Sequence, residues 1–144
     1  MKEMLILVSP EDEVVGSASK KEAHDLKNLK KEGAVPHRAF SVFLFNSKNE
    51  LYLQKRSKEK ITFPGLWTNT CCSHPLMNPE EMVTKRFEGI KTAANRRMEY
   101  ELGLSGLRHE NYSMISKILY QADSCNVWGE YELDYILFAK PEND

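Results

Sequence analysis

The feature that most constrains this chain is the run Ala39-Phe40-Ser41-Val42-Phe43-Leu44-Phe45, in which Ser41 is the one polar residue. It is far shorter than the roughly 20 apolar residues a membrane helix needs. Its β-branched and aromatic content reads as a central strand. The polar turn Asn46-Ser47-Lys48-Asn49 then leads into Glu50-Leu51-Tyr52-Leu53-Gln54, so a hairpin of central strands is expected. A chain organised around such strands needs one core, and 144 residues suffice for it. A domain of that length buries roughly two thirds of the surface its unfolded chain exposes.

The rest of the chain alternates strands and helices with no internal repeat, predicting a single α+β domain over 1–144 with a mixed sheet and one long helix. Met4–Val8 and residues 13–15 read as a strand pair around Ser9-Pro10-Glu11-Asp12. The first of these runs is too short for the roughly 7–15-residue apolar region of a signal peptide. Ser17 or Ser19 is placed to cap a short helix over Lys20–His24. The stretch Lys27–Pro36, basic and containing Gly33, reads as a solvated loop. Asn78-Pro79-Glu80-Glu81 supplies an N-cap, a first-turn proline and a capping-box carboxylate. Val83, Phe87, Ile90, Ala94 and Met98 then follow at helical spacing, and Gly103 stops the helix. Two further strands are expected at Tyr112–Tyr120 and Glu130–Phe138, joined by a turn at Asp123–Asn126.

Charge and cysteine content narrow the function. Lys and Arg number 20 against 21 Asp and Glu, a net charge of −1. That balance gives no electrostatic case for nucleic acid or an anionic membrane as partner. The 3 cysteines are too few and too oddly spaced for a disulfide framework. They fit a reducing compartment, so a cytoplasmic location is expected; a monomer is expected as well. The ending Pro141-Glu142-Asn143-Asp144 is no receptor-read address.

Several residues could carry chemistry. Cys72 and His74 are two apart in an extended segment and share a face, as do Glu130, Glu132 and Asp134 on a later strand. The plain alternative for the carboxylates is the solvated face of an edge strand, and for Cys72 a small buried hydrophobe. Adjacent cysteines exclude a thioredoxin-type pair, and Cys-Cys-Ser-His lacks structural-zinc spacing. His24 and His37, with His74 and the glutamates, could form a nitrogen–oxygen metal site of a kind that suits Zn, Mn or Fe rather than Mg alone. Spacing does not show whether these segments meet.

The long helix invites comparison with the Nudix hydrolase motif Arg-Glu-apolar-x-Glu-Glu-x-Gly-apolar. The corresponding stretch is Arg96-Arg97-Met98-Glu99-Tyr100-Glu101-Leu102-Gly103-Leu104. Arg96, Met98, Glu101, Gly103 and Leu104 fit, whereas Arg97 and Tyr100 replace two metal-binding glutamates. A diphosphate hydrolase needs those carboxylates to hold Mg²⁺ beside its attacking water, so hydrolysis is disfavoured.

With the motifs Phe63-Pro64-Gly65, Trp67–Pro75 and Trp128–Tyr135, and the run His37–Phe45, the chain closely resembles the type I isopentenyl diphosphate isomerases of the Nudix superfamily. The resemblance runs from about residue 4 to residue 138. It implies a Nudix-like fold and interconversion of isopentenyl and dimethylallyl diphosphate through a tertiary carbocation. It assigns Glu132, assisted by Tyr120, to the protonating side and Cys72 to the deprotonating side. It implies His24, His37, His74, Glu130 and Glu132 as ligands of one divalent metal (Mg, Mn or Zn), and Glu101 as holder of a Mg²⁺ that bridges the diphosphate. Lys20, Arg56, Lys60 and Ser73 match positions that contact the diphosphate, and Arg97 is expected to join them. The family normally continues beyond Phe138 into helices carrying a tryptophan that covers the cation, so a chain ending at Asp144 is expected to be truncated or impaired. The rival readings are a non-catalytic binder of prenyl diphosphates and a Nudix hydrolase.

Overall fold

The structure, a computed structural model, describes residues 3–142. The first apolar run forms β1 (Met4–Val8), which turns through a left-handed Asp12 (φ 69°) into β2 (Val14–Ser19). Ser19 then caps α1 (Lys20–His24): its side chain accepts from Glu22 N, and the Glu22 carboxylate accepts from Ser19 N. This reciprocal cap satisfies two donors that a helix start leaves open. Part of the expected Lys27–Pro36 loop is helical instead. Asp25 caps α2 (Leu26–Leu29) through Lys27 N, because Leu26 and Leu29 have core surface to bury.

Strands β3 (His37–Leu44), β4 (Gln54–Lys55), β5 (Trp67–Thr68) and β6 (Cys71–Ser73) follow; then come α3 (Glu88–Leu102), β7 (Tyr112–Asp123) and β8 (Gly129–Ala139). The main sheet runs β2-β1-β3-β8-β7. β8 lies parallel to β3 along its whole length, and β6 lies antiparallel beside Phe40–Val42 on the other edge. β3 is therefore central, as its apolar run requires. Its Phe40 and Val42 pack with Tyr135 and Leu137 of β8 against Ile90, Ala93, Ala94 and Met98 of α3. The opposite face of the same strands carries His37, Ser41, Glu132 and Asp134.

Two expectations need correction. Residues 50–54 do not return as a central strand: Leu51 makes a single bridge to Phe45, and Gln54–Lys55 pairs with Trp67–Thr68 in a separate two-stranded sheet. The edge that this hairpin would use is taken by β6. The long helix also starts ten residues later than its cap signal. Asn78 Oδ1 does accept from Glu81 N at 2.8 Å, but as a local turn. Left-handed Arg86 and Phe87 (φ 54° and 57°) then interrupt the chain before α3 begins at Glu88. Glu81 is instead buried as the partner of Arg96, whose Nε and Nη2 lie 2.8 and 2.9 Å away. Gly89 makes this approach possible, since a Cβ there would sit 2.5 Å from Glu81 O. The stop at Gly103 is as expected, with φ 66° and its N–H bonded to Glu99 O.

Candidate active site

Strand register assembles the site. His37 faces Glu132 across the parallel β3–β8 pair, Tyr120 faces Glu132 across β7–β8, and Ser41 faces Cys72 across β3–β6. His24 arrives from the end of α1, and His74 from just beyond β6. The carboxylates of Glu132 and Asp134 are 6% exposed, which removes the solvated-edge alternative: β8 has a strand on each side.

His24, His37, His74 and Glu132 offer ligand atoms that all lie within 4.8 Å of one another. Nε2 of His37 is 2.8 Å, and Nε2 of His74 3.3 Å, from Glu132 Oε2. His24 Nδ1 donates to Lys20 O at 2.6 Å, which orients the ring and leaves its other nitrogen to face a ligand. Burial lowers His24 to about 4 and His74 to about 3, so both are neutral near pH 7, the state that binds metal. Burial alone would raise Glu132, but hydrogen bonds from His37 and His74 outweigh it and keep this carboxyl ionised. Three imidazoles and a carboxylate fit a divalent metal with nitrogen and oxygen preferences. Glu130 stands outside this group of four. Its Oε1 accepts from Thr62 Oγ1 at 2.9 Å, its Oε2 lies 2.9 Å from the Tyr120 hydroxyl oxygen, and burial raises its pKa.

A cavity of about 430 Å³ opens over this cluster and is lined by Cys72, Ser73, Tyr120, Glu132 and Asp134. Lys20, Arg56, Lys60 and Arg97 line it too, as does Trp67, which is 68% exposed. Cys72 Sγ donates to Asn69 Oδ1 at 2.8 Å and lies 3.4 Å from Ser41 Oγ. Burial pushes its thiol up to about 11. The Tyr120 hydroxyl makes a short hydrogen bond to Glu132, and burial with the two neighbouring carboxylates raises its pKa. The site thus holds a thiol and a hydrogen-bonded carboxylate in one cavity. A larger cavity of about 680 Å³ beside Leu44, Tyr52 and Leu107 contains none of these groups.

The cationic wall is organised by Glu101. Its Oε1 accepts from Lys60 Nζ (3.0 Å) and Arg97 Nη2 (2.7 Å), while Oε2 accepts from the buried Cys71 thiol at 3.2 Å. Burial opposes ionisation here, but these three bonds win and hold Glu101 down at about 2. Lys20 is lowered, first by burial and then by the nearby Lys60 and Arg97 charges. An anion entering the cavity would relieve that repulsion. Arg56 spends Nε and Nη2 on the Thr62 and Phe63 carbonyls, shaping the loop beneath the cavity.

A NUDIX domain profile matches residues 35–144, more than half of the chain. The chain belongs to the NUDIX domain family. Its sequence is 48% identical to an isopentenyl-diphosphate delta-isomerase of Gibberella zeae, over 100% of this chain and 58% of that protein. Against isopentenyl-diphosphate delta-isomerase 1 of Bos taurus it is 49% identical, over 97% of this chain and 62% of that protein. The chain thus spans about three fifths of the length of these relatives. The fold also superposes on the crystal structure of DR0079 from Deinococcus radiodurans with a TM-score of 0.63, at 17% identity, covering 99% of this chain and 74% of that one.

The helix departs from the hydrolase motif at two positions. Arg97 and Tyr100 stand where the hydrolase motif has glutamates, and in the structure they pair with each other, the Arg97 guanidinium 4.7 Å from the Tyr100 ring centre. Only Glu101 of that carboxylate set remains, already held by two cations. Among the described residues no helix is long and apolar enough to cross a membrane. Sequence reasoning passed over Ser41, Asn69, Thr62 and the inward turn of Asp134. The signal for Ser41 was its place as the one hydroxyl in an otherwise apolar strand.

Proposed function

We propose that this chain catalyses the interconversion of isopentenyl and dimethylallyl diphosphate in the cytoplasm, acting as a single-domain monomer over residues 1–144. The observation that carries this reading is one cavity lined both by Cys72 and the Glu132–Tyr120 pair and by Lys20, Arg56, Lys60 and Arg97. The identity to isopentenyl-diphosphate delta-isomerases supports it.

The cationic end binds the diphosphate, with the Arg97 and Lys60 side chains and the Ser73 region as contacts. That places the five-carbon tail between Cys72 and Glu132. One of these delivers a proton to the terminal =CH₂ carbon, which becomes a methyl group and leaves a tertiary cation. The other removes a proton from the carbon on the far side of the cation, and that C–H electron pair becomes the new double bond. One proton is gained and one lost, so charge and oxidation state are unchanged. The two groups exchange roles when the reaction runs backwards. Tyr120 holds the Glu132 carboxylate in line for this transfer.

His24, His37, His74 and Glu132 would hold a divalent metal, Zn or Mn by donor set; Glu101 would hold Mg²⁺ against the diphosphate. Such ions supply positive charge that fixes Glu132 and neutralises the diphosphate. Incubating the purified chain with isopentenyl diphosphate, Mg²⁺ and Zn²⁺ or Mn²⁺ and following the olefinic protons by NMR tests the reading. Appearance of dimethylallyl diphosphate supports it, and an unchanged spectrum with wild-type protein refutes it.

A further inference from the structure

Around Cys72 every hydrogen-bonding neighbour has its polarity fixed from behind. Asn69 Nδ2 donates to Val42 O at 2.8 Å and Cys71 O at 3.2 Å, so the amide cannot turn and its oxygen faces the sulfur. Ser41 has one hydroxyl hydrogen, and it goes to Asp134 Oδ2 at 2.7 Å. Only lone pairs of Ser41 Oγ remain to face Sγ, 3.4 Å away. Asp134 in turn is buried, accepts from no group other than Ser41 among the described residues, and leaves Oδ1 unpartnered. Ser41 carries this hydroxyl at the register position opposite Cys72.

We propose that Ser41 is a positioning residue for Cys72, oriented by Asp134 so that Ser41 and Asn69 together fix the direction of the Cys72 thiol hydrogen. A sulfur flanked by two oxygen acceptors can point its hydrogen at either of them. The shorter contact decides it: the S–H bond points at Asn69 Oδ1. This sets both the sulfur position and the face of it that looks into the cavity. Asp134 is the anchor, since its Oδ2 takes the Ser41 hydroxyl hydrogen and holds it turned away from the sulfur. Replacement by Asn supplies a donor there, which frees the Ser41 hydrogen to swing onto Sγ.

The inference rests on the proposed role of Cys72 in isomerisation, and the test has one arm that does not. In the first arm, the infrared S–H stretching band of Cys72, assigned by difference from Cys72→Ala, is recorded without substrate for wild type, Ser41→Ala, Ser41→Thr and Asp134→Asn. The band is expected to shift in Ser41→Ala and in Asp134→Asn and to stay at the wild-type position in Ser41→Thr, which keeps the hydroxyl. Iodoacetamide is expected to alkylate Cys72 faster in Asp134→Asn, because a hydroxyl that donates to sulfur favours the thiolate. A band at the wild-type position in both Ser41→Ala and Asp134→Asn would overturn the proposal.

In the second arm, kcat for isopentenyl diphosphate is expected to fall about tenfold in Ser41→Ala with KM unchanged, and to recover in Ser41→Thr. Equal loss in the Ala and Thr variants would overturn it, as a packing effect. If wild type shows no isomerisation while the S–H band shifts as expected, the functional reading fails and the positioning of Cys72 stands.

Discussion

His37 and Glu132 occupy the same register position on parallel strands β3 and β8, with Nε2 2.8 Å from Oε2 and both side chains almost fully buried. Parallel pairing in mid-sheet is a rigid way to bring an imidazole to a carboxylate, because the backbone of both strands is fixed by hydrogen bonds along their length. The proposed metal and proton-transfer functions meet at this pair.

Removing one imidazole should therefore cost metal before it costs fold. His74→Ala leaves β3 and β8 intact and is expected to weaken Zn²⁺ or Mn²⁺ binding about 100-fold. Titration calorimetry on the chelator-stripped protein measures it, and unchanged affinity would place the metal elsewhere.

In the stripped protein, His24 and His74 also make stability depend on pH. Their pKa values are lowered in the fold, from 6.5 to about 4 and about 3. The unfolded chain consequently binds protons first. The stabilisation is complete above pH 6.5 and is lost as pH falls toward 4 and then 3. Melting temperature should fall over this window, and His24→Gln should flatten the upper part of the fall. A flat profile in the wild type would show that these imidazoles are charged in the fold.

The Arg96–Glu81 pair fastens the segment before α3 to the helix. Arg96→Ala leaves a buried carboxylate without its two guanidinium bonds, and a loss of about 2 kcal/mol is expected, moderated because Arg96 is itself partly exposed. Urea denaturation measures this. Replacing Glu81 as well, by Gln, should recover part of the loss, since a neutral amide tolerates burial better.

On the cationic wall, Lys60→Ala should raise KM for isopentenyl diphosphate about tenfold and change kcat less, because it removes charge from the diphosphate end. Steady-state kinetics separates the two. A fall confined to kcat would instead assign Lys60 to the reacting end, away from the anion.

Much of this arrangement is legible in the sequence because local rules and packing agree. The Ser19 cap, the Gly103 stop and the pairing of the last two strands follow from residue type and period. The helix start does not, because Asn78 and Glu81 obey a capping pattern while Arg96, fifteen residues on, claims the Glu81 side chain. The Glu50–Gln54 strand fails for a similar reason: its place beside β3 goes to Cys71–Ser73. Convergence of His24, His37 and His74 depends on three separate elements, and spacing carries no trace of it. The resemblance to a known family pointed to those residues, and the parallel register of β3 and β8 explains why they meet.

The most direct test of the central claim is proton exchange in D₂O. Wild-type protein with Mg²⁺, Zn²⁺ or Mn²⁺ and isopentenyl diphosphate is followed by ¹H and ²H NMR. The account predicts dimethylallyl diphosphate carrying solvent deuterium in a methyl group, with the signal lost in Cys72→Ala and in Glu132→Gln by a factor of at least about 10³. Isopentenyl diphosphate that stays free of deuterium, or that releases phosphate instead, would contradict it.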